Sequence, residues 1–578
     1  MYPLRIIDSL SPFFYTLCKT SPPVSNSEVN WSKTPFHLIE QALMLEGKGL
    51  KKLTDCFRVY LQRAAAYGFN AVTLDDLAHM VSFQRYPAEL RVKLEQYATL
   101  YKKLYATARN AGFAVYINTD ILFYNKSVDS YTNGKFGNQV RFFITAIRRL
   151  FTQYPETAGV VCRIGESDGI DVQGDFKSIL CITTPKECRY FLNSVLPEFE
   201  NLEKNLIFRA WTLGAYTIGD LMWNAGTFRK VFKNINSDNL RISLKFGETD
   251  FFRYLNFNKL FFTSRQPMII ELQTRREYEG FGKFPSFIGK DYERYSTYLK
   301  KCKKIKGLLV WCQTGGWSHF TACSLLSKNS IWNDINTFCA INIINRHWSS
   351  EKSVREYVKR YPPGVPAAVL YEILRVSESA VKQLWYIPEF ARQRLYFRRS
   401  RVPPLLYIFW DHILITSLMR KILRRSVHER REAVIDGQRA LKMVKHLKKL
   451  SSKHNFHKNQ FALMYDTFYI ISLSREFYFG QDAARAQKKL ISFHAVYKEK
   501  WPYGFHIDLG LEPFRLHTVI MKFFFHFALR PHPHYRMIDK LFIIPFSMLM
   551  YRFIRLWYRQ GATRFFGKQA MGIQALLK

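Results

Sequence analysis

Seven short runs of almost continuous apolar residues, separated by amphipathic stretches, limit the folds open to this chain more than any other feature. They lie at 68–76 (GFNAVTLDD), 112–120 (GFAVYINTD), 157–166 (TAGVVCRIGE), 205–214 (NLIFRAWTLG), 240–248 (LRISLKFGE), 266–273 (QPMIIELQ) and 305–316 (IKGLLVWCQTGG). Most are separated by helical patterns such as LEQYATLYKKLYATARNA, and another, LTDCFRVYLQRAAAY, precedes the first. Strands apolar on both faces, alternating with amphipathic helices, predict a parallel sheet covered by helices. An eighth strand is expected near 35–45 (PFHLIEQALML). Eight such units over about 300 residues suit an α/β fold of the (β/α)8 TIM-barrel type. A doubly wound open sheet is the alternative, but no Gly-rich nucleotide loop follows an early strand. The expected organisation is an N-terminal segment (1–34), the barrel (35–345) and a basic, all-α C-terminal domain (346–578).

Charge narrows the partners. Lys and Arg number 86 against 46 Asp and Glu, a net charge of +40 that is concentrated in the last third of the chain. Nucleic acid, an anionic membrane surface and an acidic polysaccharide are the partner classes such a balance suits. No nucleic-acid-binding signature accompanies the charge, so no nucleic-acid partner is expected. Two apolar segments, 403–419 and 541–558, read as helices. They would either be buried in a bundle or lie on a membrane, since charge and proline interrupt both. The N-terminus lacks the apolar core of a signal peptide. The expected location is cytoplasmic, with the basic C-terminal helices offering peripheral attachment at the inner face of the membrane. Nine scattered cysteines without CxxC pairs suggest neither a disulfide framework nor a zinc site. No motif calls for a metal or cofactor, and a homo-oligomer stays open.

The strand ends carry the chemistry. In a barrel, the C-terminal ends of the strands face the active site. Here they read Asp75-Asp76, Asn118 and Asp120, Arg163 with Glu166 and Asp168, Arg209 and Trp211, Lys245 with Glu248 and Asp250, Glu271 with Gln273 and Glu277, and Trp311 with Gln313 and Trp317. Glycoside hydrolysis needs two carboxyl functions: one protonates the leaving oxygen, the other attacks the sugar or activates water. Glu166, set against Asp250 and Glu277, meets that need in kind. Structural roles compete at several positions. Asp75, Asp76 and Asp120 suit salt bridges, and Glu271, inside its strand, suits a buried partner for a Lys or Arg. Tyr278 either orients Glu277 or packs behind it. Trp211, Trp311 and Trp317 either stack on sugar or fill the barrel.

The segment Glu271-Leu-Gln-Thr-Arg-Arg-Glu277-Tyr278-Glu-Gly280 resembles the ELQ-x-x-x-EY-x-G signature of the α-glucuronidases of glycoside hydrolase family 67. Upstream, Lys245-Phe-Gly-Glu-Thr-Asp250-Phe251 is similar to that family's lysine-containing strand ending in Asp-Phe, and Gly165-Glu166-Ser167-Asp168-Gly169 stands where its acid loop lies. Arg209 matches an arginine on the family's intervening strand. The resemblance covers roughly 55–345, although the family's N-terminal β-rich domain has no counterpart here and Asp75-Asp76 stand where the family has asparagines. It implies an inverting glycosidase that releases an α-linked uronic acid from an acidic oligo- or polysaccharide. By position, Glu166 would be the general acid, while Asp250 and Glu277 would hold and deprotonate the attacking water. Lys245 would bind the sugar carboxylate, helped by Arg209 or Arg163. The rival reading is a catalytically lapsed barrel that binds polysaccharide, or serves surface-glycan biosynthesis at the membrane.

Overall fold

The computed structural model describes residues 1–20, 34, 36, 40, 47–164, 175–178, 180–212, 216–313, 325–327, 330–512, 529–532 and 549. Eight parallel strands close into a barrel: β1 (Leu4–Asp8), β2 (Ala71–Asp75), β3 (Ala114–Asp120), β4 (Gly159–Arg163), β5 (Asn205–Arg209), β6 (Leu240–Lys245), β7 (Met268–Gln273) and β8 (Ile305–Trp311). Neighbours in the chain are neighbours in the sheet, and β1 completes the ring by pairing with both β2 and β8. The seven apolar runs are β2 to β8. Their residues are buried almost throughout, as a sheet packed on both faces requires.

The closing strand corrects one expectation. It is Leu4–Asp8, inside the segment assigned to a separate N-terminus, and not 35–45, where Phe36 and Glu40 are helical. Its sequence, LRIID, carries a charge near each end. Both charges are absorbed locally: Arg5 donates to the Gly68 and Tyr2 carbonyls at the base of the barrel, and Asp8 is tied into the β1–β8 seam at the mouth.

Helices at Gly47–Tyr67, Ala88–Asn110, Phe136–Gln153, Pro185–Asn201, Ala225–Phe232, Leu260–Thr263, Gly289–Leu299 and Ile331–Arg346 follow the strands in turn. The helix at 185–201 starts where a sequence rule says it should. Thr184 and Glu187 form a reciprocal capping box with Pro185 in the first turn. The helix at 331–346 is buried on nearly every side because the C-terminal region packs over it. Its Asp334 accepts from the hydroxyls of Tyr67 and Tyr357, at 2.6 and 2.7 Å.

The C-terminal region is helical, with helices from Ser350–Arg360 to Ala483–Lys500. It is not helical throughout. Segment 403–419, expected as an apolar helix, forms a hairpin of β9 (Ile408–Phe409) and β10 (His412–Thr416) before the helix Ser417–Ser426 begins. Strand β11 (His506–Gly510) pairs with β10 in parallel. Pro404 keeps Pro403 out of the helical conformation, and Ile413, Leu414 and Ile415 form a short apolar run whose burial hides its period. Of segment 541–558, all but Leu549 lies outside the described residues. Among the described residues no helix is long and apolar enough to cross a membrane.

Candidate active site

The polar residues at the strand ends first tie the mouth of the barrel together. Asp8 accepts from the backbone N–H groups of Leu10, Cys312 and Gln313 at 3.1, 2.5 and 3.0 Å, and its burial pushes its carboxyl up to about 6. Asp75 accepts from Asn118 Nδ2 at 2.9 Å and the Thr34 N–H at 2.8 Å; burial raises its pKa too. Asp76 caps the short helix Leu77–Met80. Arg163 is paired with Asp120, both fully buried. The Asp75–Asn118 and Asp120–Arg163 bonds join adjacent strands, and the ion pair of Asp120 is the salt-bridging role weighed for it.

Glu271 has a complete set of partners. Arg209 grips it bidentately at 2.9 and 2.8 Å, Ser243 Oγ donates at 2.8 Å and Trp311 Nε1 donates at 3.0 Å. Arg209 also lies 4.6 Å from the centre of the Trp311 ring. Glu271 is fully buried, and the arginine holds its carboxyl below the usual range despite the opposing cost of burial. The Arg209 fork and the Trp311 ring are thereby committed to one another inside the barrel.

A second carboxylate is held more openly. Asp250 follows β6 by five residues and accepts from Lys245 Nζ at 2.7 Å, the Tyr278 hydroxyl at 2.8 Å and the Phe251 N–H at 2.8 Å. The Lys245 ammonium also sits 3.4 Å from the Trp211 ring centre, a cation–π contact that fixes both side chains. Glu277 comes four residues after β7. The Gln273 amide donates to its Oε1 at 2.8 Å and accepts from its backbone N–H at 3.1 Å. Asp250, Lys245, Tyr278 and Trp211 are thus brought into one cluster, with Glu277 next to Tyr278 in the chain. Glu166, Asp168 and Trp317 lie outside the described residues.

A cavity of about 180 Å³ opens beside Asp250. Trp211, Asp250 and Tyr278 line it from the barrel, while Arg401, Phe409 and Trp410 line it from the C-terminal region. The contribution of 400–410 is absent from the sequence reading, which takes 403–419 as an apolar helix. The sequence signal that could have marked it is a pair of prolines followed by Phe409-Trp410-Asp411, a turn-like break inside an apolar run. Among the described residues, no cluster of three or more His, Cys, Asp or Glu side chains is placed to hold a metal ion.

No family model matches the sequence, and no curated protein matches it. Among solved structures, a GH138 enzyme targeting pectin rhamnogalacturonan II is similar with a TM-score of 0.53 at 11% identity, over 87% of this chain and 63% of that one. The chain therefore spans less than two thirds of that enzyme's length. CpGH84B gives 0.37 at 11% identity, covering 87% of this chain and 73% of that one. An O-GlcNAc hydrolase from Thermobaculum terrenum gives 0.36 at 11% identity, over 77% and 85%. At such identities the likeness to the GH138 enzyme is one of fold.

Proposed function

We propose that the protein is a glycoside hydrolase that cleaves an α-linked uronic acid, or a related acidic sugar, from an oligo- or polysaccharide. The observation that carries this reading is Asp250, a carboxylate fixed by three donors at the barrel mouth and bordering a cavity. In the proposed mechanism Asp250 and Glu277 hold and deprotonate the attacking water, and Glu166 protonates the leaving oxygen. The backbone N–H of Phe251 and the Tyr278 hydroxyl keep Asp250 oriented, as Gln273 does for Glu277. Lys245 recognises the sugar carboxylate by exchanging its bond to Asp250 for one to the substrate, a charge-assisted contact with strong discrimination. The resemblance of the two signature segments to family 67 supports these roles. The fold likeness to an enzyme targeting a pectin agrees with it by analogy only.

A second reading has its own observation. Each cation expected to hold a uronate already faces a protein carboxylate: Lys245 faces Asp250, Arg209 faces Glu271 and Arg163 faces Asp120. That arrangement favours a neutral sugar on the same machinery. Hydrolysis of α-glucuronides and α-galacturonides, compared with the matched glucosides and galactosides, separates the two. The acidic-sugar reading expects uronosides to be preferred, with the preference abolished in Lys245→Met. Preference for the neutral series, unchanged in that variant, would remove the acidic sugar while leaving the glycosidase. No turnover of any glycoside would remove both.

A further inference from the structure

The cavity beside Asp250 is built by two parts of the chain that sequence reasoning keeps separate. Trp410 and Asp411 form the two-residue turn between β9 and β10, whose registers pair Phe409 with His412 and Ile408 with Ile413. Trp410 has φ 55°, in the left-handed region. Tight hairpin turns reserve such positions for Gly, Asn or Asp, because a bulky side chain there is strained. The flanking structure must offset that cost, and it does so through β10, which is largely buried and pairs with β9 on one side and β11 on the other.

The strained turn points toward the candidate site. The Trp410 ring centre lies 6.0 Å from that of Tyr278, with the planes 33° apart, and it is the Tyr278 hydroxyl that holds Asp250. Arg401 comes from the same side and is 6% exposed. Its two terminal nitrogens donate to the carbonyls of Leu395, Val402 and Gln393 at 3.0, 2.9 and 2.7 Å. Its Nε faces the Glu248 carboxylate, with which it forms an ion pair at 3.8 Å.

Size and lining restrict the occupant. At about 180 Å³ the cavity has room for one small ring. It is smaller than the roughly 300 Å³ at which pockets for drug-sized ligands begin. Aromatic faces with a few placed polar groups suit a pyranose, which presents C–H faces to rings and hydroxyls to its edge.

We infer that this cavity is a subsite for a single sugar ring, and that the C-terminal hairpin is its facing wall, with Trp410 packing on the ring. The inference rests on the glycosidase reading above and adds to it that the barrel alone is an incomplete site.

The test uses the full-length protein with Trp410→Ala, Trp410→Phe and Phe409→Ala. On a hydrolysed glycoside, Trp410→Ala raises KM by up to about tenfold with kcat little changed, as loss of uniform binding requires, and Trp410→Phe restores most of it. Hydrolysis with KM unchanged in both alanine variants overturns the subsite and leaves the glycosidase standing. Should the wild type cleave no glycoside, saturation-transfer NMR with glucuronate, galacturonate and glucose reads the cavity by itself. Transfer to one of these sugars that disappears in Trp410→Ala supports the subsite although the glycosidase reading has failed. No transfer to any of them overturns it.

Discussion

Glu271 and Asp250 belong to adjacent strand ends, yet their surroundings separate structural from chemical duty. Glu271 is saturated by Arg209, Ser243 and Trp311 and is fully buried. The Asp250 side chain keeps 14% of its surface exposed and borders a cavity. Sequence position makes both of them candidates. The difference lies in partners 28 to 62 residues away along the chain from Glu271, which no local pattern assigns. Replacing Glu271 by Gln strips Arg209 of its counter-charge in the barrel interior and should cost about 3–5 kcal/mol in urea denaturation at neutral pH. Its carboxyl is held down in the folded state, so the stabilisation is present above the unfolded value near 4.5 and is lost as pH falls toward the folded one. The gap between wild type and Glu271→Gln should accordingly close on acidification below about pH 4. A gap that is constant with pH would assign the loss to packing alone.

Elements were legible where burial on two faces produced a continuous apolar run. Strands β2 to β8 announce themselves in that way. Strand β1 does not, because five residues with Arg5 and Asp8 near the ends leave only Ile6 and Ile7 as a signal. The same continuous-run logic misleads at 403–419, where a buried strand and a buried helix segment look alike over so few residues. The seam closed by β1 is tight. A Cβ added at Gly307 would lie 2.5 Å from the Leu4 carbonyl oxygen and 2.9 Å from Ile269 Cδ1. Gly307→Ala should therefore force β1 away from β8 and destabilise the protein by about 1–3 kcal/mol or more. Chemical denaturation measures this, and a neutral effect would mean that the seam gives way freely.

At the scale of the whole molecule, barrel and C-terminal region share one buried ionic network. Arg253 bonds Glu279 at 2.9 Å, Asp291 at 3.1 Å and Glu378 at 3.2 Å, while Tyr386 donates to Glu279 at 2.7 Å. Glu279, inside the signature segment that contains Glu277, thus anchors the C-terminal region to the strand end it follows. The sequence separates a catalytic barrel from a basic helical domain; the fold joins them, through this network and through the hairpin at the cavity. Beside that joint stands Asp250, on which the proposed hydrolysis depends. The direct measurement is kcat/KM on an α-linked glucuronide for the wild type and Asp250→Asn, with thermal melting alongside. Turnover by the wild type is expected, with a loss of at least about 10²-fold in the variant and the fold retained. A folded variant as active as the wild type would contradict the role given to Asp250.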